Sequence, residues 1–206
     1  MRRFRPLNTM RRFFTIPVET SHLKSKTVQR LSFTFEYVLL LVVSVVISTL
    51  GLLMDSSATI IGGMIVSPFI IPVLSLAYGI YDGNIRIMHK ALLMIVVSIA
   101  IALATSFLIT EISPLKNITD EISIRTTPTL LALFIALGAG LIGILALSRH
   151  KIADSFAGVA IATSLVPPLS VAGVGLSLEI SHVFYGGMLL FLLNVLAIAF
   201  IGTIYL

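Results

Sequence analysis

Residues 62–77 read GGMIVSPFIIPVLSLA. The stretch is apolar enough to lie in a membrane, yet Pro68 and Pro72 sit inside it. A proline in a helix interior removes a backbone donor and clashes with the preceding turn, which costs about 3 kcal/mol. Broken backbone at membrane depth persists only where protein encloses it or where it lines a wet cavity. The stretch therefore predicts an interrupted transmembrane helix surrounded by its neighbours.

The remaining composition agrees. Of 206 residues, 57% are hydrophobic and only 11% charged, with a mean hydropathy of +1.08. A soluble domain clothes its surface with about a quarter of charged residues, so this chain reads as an integral membrane protein. It has no cysteine, which excludes disulfides, thiolate chemistry and Cys-ligated metals. The net charge of +5 does not point to nucleic acid, because eight of the fourteen Lys and Arg residues lie within residues 1–30. That block precedes the first apolar run, as a cytoplasmic anchor does, and membrane lipids with anionic headgroups are its expected partner. The first apolar run starts near Phe33, too late and too long for a cleavable signal peptide. An organellar transit peptide is the lesser alternative for the Arg-rich opening.

A membrane-crossing helix needs about 20 mostly apolar residues. Six segments qualify, at 33–54, 57–80, 87–110, 127–147, 153–178 and 183–206. With the N-terminus inside, Arg86, Lys90, Arg149 and Lys151 also fall inside, leaving only Lys116 and Arg125 outside. The Lys and Arg bias thus predicts a plasma (inner) membrane protein with both termini cytoplasmic.

The two halves resemble each other. A shift of 95 residues brings Gly63, Pro72, Leu74, Ser75 and Ala77 onto Gly158, Pro167, Leu169, Ser170 and Ala172. A shift of 99 brings DSSA (55–58) onto DSFA (154–157) and Pro68 onto Pro167. Each half holds three spans, and an odd number forces the second half to insert upside down. The expected architecture is all-α: six transmembrane helices as two inverted three-helix repeats, with helices two and five broken near the midplane. Its parts are a basic tail (1–32), a first repeat (33–110), an extracytoplasmic connection (111–126) and a second repeat (127–206).

Paired interruptions in corresponding halves point to a midplane binding site, where freed carbonyls hold a cation or freed amides an anion. The candidates are Ser67, Pro68, Pro72, Thr163, Ser164, Pro167 and Pro168, with Asn194 as a neighbour. The competing reading is a pair of proline kinks healed by nearby hydroxyls, with no ligand. Asn194, whose approximate mate is Ser98, serves equally as interhelical glue. Asp55 and Asp154 are repeat-related acids that either cap the following helices or bind an ion. Glu36 is shallow, within reach of Arg30. The histidines, His22, His89, His150 and His182, form no i,i+4 pair, so no metal site is expected. No Ser–His–Asp set, phosphate loop or dinucleotide fingerprint occurs, so neither an enzyme nor a cofactor is expected.

The blocks GLLMDSSATIIGGMIVSPF (51–69) and AGVAIATSLVPPLSVAGVGL (157–176) resemble a bacterial and archaeal membrane family known as the uncharacterised hydrophobic domain, a domain of unknown function. The likeness spans most of 33–178. Some members carry an additional soluble domain, and this chain is similar to the membrane part. The resemblance implies the membrane fold and implies no substrate or functional residues. The leading expectation is a small transporter or channel-like protein, assembled as a homo-oligomer because a single protomer is slim for an enclosed path. The alternative is a non-transporting scaffold that binds lipid through its basic tail.

Overall fold

The computed structural model describes residues 31–148 and 165–206. Among them every regular element is helical. Helix α1 (Phe35–Leu53) starts at Thr34, whose hydroxyl accepts the Tyr37 N–H at 3.2 Å. A three-residue turn leads to α2 (Ser57–Val66), capped by the Ser56 hydroxyl. Pro68 then stops the helix: the residue before a proline avoids the α region, and Ser67 is extended at φ −68°, ψ 128°. Helix α3 (Ile70–Tyr81) follows at 54° to α2.

Only Pro68 of the two prolines lies in the break. Pro72 is the third residue of α3, and Pro167 and Pro168 are the second and third residues of α7 (Val166–Ser177). First-turn N–H groups have no intrahelical acceptor, so a proline there gives up nothing and presets φ. Three of the four residues expected to break helices therefore start them.

Helix α4 (Ile85–Ile112) is capped by the Asn84 side chain, and a short α5 (Asp120–Ile124) lies in the connection. Helix α6 (Leu130–Ser148) begins after Pro128, and α8 (Ser181–Tyr205) closes the chain. Three helices, α1, α4 and α8, are long and apolar enough to cross a membrane, and the bent pair α2–α3 makes a fourth span if taken together. The apolar part of α6, Leu130–Leu145, and α7 are shorter than a span. The fifth expected span (153–178) lies partly outside the described residues.

Apolar side chains face outward along these helices. Phe35, Ile85, Ile112 and Leu196 are all more than 60% exposed. The interior uses small residues instead. A Cβ on Gly63 would lie 2.9 Å from the Ser44 carbonyl oxygen, so α1 and α2 touch backbone to backbone. Close approach through small residues is how helices associate in lipid, where apolar burial gives no advantage over the surrounding tails. The ten residues Val166–Gly175 are all buried, with α7 packed against α1, α4 and α8.

Three turns share one hydrogen-bond pattern. After α1, the N–H groups of Met54, Asp55 and Ser56 donate to Leu50, Leu52 and Gly51, with Asp55 left-handed at φ 52°. After α3, the N–H groups of Asp82, Gly83 and Asn84 donate to Tyr78, Ile80 and Gly79. After α7, those of Leu178, Glu179 and Ile180 donate to Val174, Leu176 and Gly175, each 96 residues later. Gly83 (φ 62°) and Glu179 (φ 57°) hold the same left-handed position. Interhelical contacts follow the same spacing. A Cβ on Gly202 would lie 3.0 Å from the Ala77 Cβ, and one on Gly173 would lie 2.5 Å from the Ser106 Cβ. Adding 96 to Ala77 and subtracting it from Gly202 converts the first pair into the second. Sequence identities favour shifts of 95 and 99, because the equivalence lies in backbone geometry rather than in matched side chains.

Candidate functional site

Among the described residues, two cavities reach inward from opposite ends of the helical bundle. The first, of ≈ 280 Å³, runs from Ser32 and Glu36 at the start of α1 to Pro68 and Ile71 at the helical break. Tyr37 lines it, and its hydroxyl shares a 2.8 Å hydrogen bond with Ser98 at the middle of α4. The second, of ≈ 270 Å³, runs from Arg125 and Thr129 to Pro168 on α7 and Asn194 at the middle of α8. Ser98 and Asn194 are themselves 96 residues apart. The first cavity thus ends at the helical break and at Tyr37, whose hydroxyl reaches Ser98, and the second at Pro168 in the first turn of α7 and at Asn194 midway along α8.

The expected single site is thereby divided. Pro68 belongs to the first cavity, and Pro168 and Asn194 to the second. Ser67 accepts the Phe69 N–H at 3.2 Å, closing the break locally. Pro72 and Pro167 are buried in first turns. Between the cavities the middle is filled: Phe69 and Phe191 pack edge to face with centroids 5.4 Å apart, beside Leu165, Val166 and Leu169. Thr163, Ser164 and Asp154 lie outside the described residues.

Asp55 caps a helix, though not the following one, whose cap is Ser56. Held at φ 52°, Asp55 accepts the Glu121 N–H at 3.0 Å through Oδ1 and so caps α5 in the connection. Thr119 donates to the Leu52 carbonyl at 2.7 Å, and Ser57 donates to the Glu121 carboxylate. These bonds pin the connection over the α1–α2 turn. Ser57 chiefly, with Arg125, holds the Glu121 carboxyl below its ordinary range against an opposing effect of burial.

The connection in turn forms the mouth of the second cavity. Arg125 donates through Nη1 to the Glu121 carbonyl oxygen at 2.6 Å and to the Glu121 carboxylate. Thr129 caps α6 by accepting the Ala132 N–H at 3.1 Å. Sequence reasoning counted Arg125 only as an outside charge. The signal was the Thr-Pro-Thr run at 127–129, a helix start that turns the preceding residues toward the bundle. Among the described residues no group of three or more potential ligands could hold a metal.

Residues 64–200 match the family model described as Domain of unknown function (DUF389). The chain belongs to that family. It is 27% identical over 163 residues to an uncharacterized protein, MJ0678, of Methanocaldococcus jannaschii, a match that covers 79% of this chain and 51% of that protein. The chain thus spans about half the length of this relative. No solved structure matches it significantly.

Proposed function

We propose that this DUF389 protein is a small membrane transporter or channel-like protein of the cytoplasmic membrane, built from two inverted three-helix halves with both termini inside. The observation that carries the reading is the pair of similar-sized cavities, which approach a filled middle from opposite ends, one stopping at Pro68 and the other at Pro168. Alternating access opens a central site to one face at a time by rocking one inverted repeat against the other. Two cavities separated by a closed centre are the two ends of such a path. The reciprocal Ala77–Gly202 and Ser106–Gly173 contacts support the inversion. The solute site would lie where the cavities converge, between Pro68 and Pro168, with Asn194 bordering it. A homo-oligomer supplies the additional walls that a 22.2 kDa protomer lacks.

Reconstituted vesicles test the reading. Uptake of carboxylates, amines, sugars and inorganic ions is compared with that of protein-free vesicles. Flux of at least one class is expected, with loss on widening Pro168 or Asn194 to Trp. Rates equal to empty vesicles across the panel would exclude it.

A further inference from the structure

We propose that the second cavity binds an amphiphilic anion, its head at Arg125 and its apolar body along Ile135 and Leu190. The proposal names a ligand class for the pathway above and rests on that reading for any role in transport, though not for binding itself.

Arg125 is the charged side chain lining this cavity, and no carboxylate lines it. Its side chain is only 21% exposed, so the cation is partly stripped of water. Both of its hydrogen bonds to Glu121 use Nη1. Among the described residues Nη2 and Nε have no acceptor, which leaves one edge of the planar guanidinium for a carboxylate or phosphate, the groups its fork fits best. The Thr127 hydroxyl is a further donor at the mouth. The first turns of α6 and α7 also border the space through Ala132 and Pro168, and the positive ends of helices favour negative charge. Lys116, also in the connection, is held by Glu111 at 3.3 Å and does not line the cavity.

The walls decide the rest of the ligand. Beyond the mouth they are mostly apolar, and Leu131 and Ile135 are 74% and 61% exposed, so the cavity opens sideways where hydrocarbon would lie. A small hydrated ion would leave that surface unused. The volume of ≈ 270 Å³ equals that of roughly nine waters at ~30 Å³ each, enough for a charged head and part of an alkyl chain. The first cavity carries Glu36 as its charged lining residue, so the two ends discriminate charge in opposite senses.

The same chemistry belongs to a free alkyl carboxylate and to the phosphate of an anionic lipid, and the experiment separates them. The full chain is purified in an uncharged maltoside detergent and titrated calorimetrically with octanoate, octanol and octylamine. Octanoate should bind at least tenfold tighter than either control. Arg125→Gln should weaken it roughly tenfold or more, as expected for a lost charge-assisted hydrogen bond. Arg125→Lys should fall between, and Glu121→Gln should tighten binding by removing the resident competitor. Phosphatidylglycerol that displaces octanoate, where phosphatidylcholine does not, makes lipid the source; failure to displace makes it the free carboxylate. Equal binding of octanol and octanoate, or unchanged affinity in Arg125→Gln, would overturn the proposal. Should Arg125→Gln not fold, Ile135→Trp fills the apolar wall, and undiminished octanoate binding there overturns it equally. Octanoate binding together with rates equal to empty vesicles for every class in the panel would remove the transport reading and leave this one standing.

Discussion

Gly173 on α7 faces Ser106 on α4, and exchanging their sizes is a quantitative test of the packing. In Gly173→Ala the new Cβ would lie 2.5 Å from the Ser106 Cβ and 2.7 Å from its Oγ, with the Leu103 carbonyl oxygen at 3.2 Å. These atoms lie on or next to backbone and have little room to yield, so overpacking should cost about 1–3 kcal/mol. The intrinsic helix preference of Ala over Gly, about 1 kcal/mol, offsets part of this. Ser106→Gly loses a similar propensity and the hydrogen bonds of its hydroxyl, which donates to the Ser170 carbonyl at 2.7 Å and accepts from Thr49 at 3.1 Å. Such interhelical bonds average about 0.6 kcal/mol in membranes. In the double variant the clash vanishes and the propensities cancel, leaving a net loss of about 1 kcal/mol from the missing bonds. The two substitutions should thus be coupled by about 1–3 kcal/mol. Equilibrium unfolding of the reconstituted protein, by a streptavidin-based steric trap at two biotinylated positions or by denaturing detergent, measures all four corners of the cycle. Additive effects would refute the close approach of α7 and α4.

Other perturbations follow from single residues. Glu179 is exposed and left-handed at φ 57°, so Glu179→Gly should stabilise the chain by about 1 kcal/mol, seen as a raised midpoint in the same unfolding assay. Removing the Thr129 cap of α6 with Thr129→Ala should cost about 0.5–2 kcal/mol, and Thr129→Ser should recover most of it. Glu121 has a depressed pKa in the folded protein, so its stabilising contribution is complete above the unfolded-state value and declines as pH falls through the folded one. The difference in thermal midpoint between the unaltered chain and Glu121→Gln should therefore shrink on acidification from pH 6 toward strongly acid conditions; a constant difference would contradict the Ser57 and Arg125 bonds.

Much of the architecture was readable from hydropathy, because period and length of apolar runs report directly on helices that face lipid. Helices α1, α4 and α8 fall within a few residues of their expected bounds. The interruption at Pro68 was readable too, since a proline's missing donor is a local fact. The roles of Pro72, Pro167 and Pro168 were not, because the same residue breaks a helix interior and starts a first turn, and only the helix boundary distinguishes them. The site was less legible. Broken backbone pointed to one shared site, whereas Pro68 lines one cavity and Pro168 and Asn194 the other. Arg125 and Thr129 reach the second cavity through the path of the connection, and Asp55 meets Glu121 across 66 positions of sequence. Such partners are set by how the segments fold back, which no local spacing encodes.

The central claim is that the two halves lie in opposite senses across a membrane, and the turns after α3 and α7 offer the most direct measurement. The chain has no cysteine, so Asp82→Cys and Glu179→Cys each introduce a single thiol into equivalent turns. Sealed, right-side-out cell preparations are treated with a membrane-impermeant maleimide before and after permeabilisation. Inversion predicts that the thiol at position 179 reacts at once and the thiol at position 82 only after permeabilisation. Labelling of both positions from the same side would contradict it.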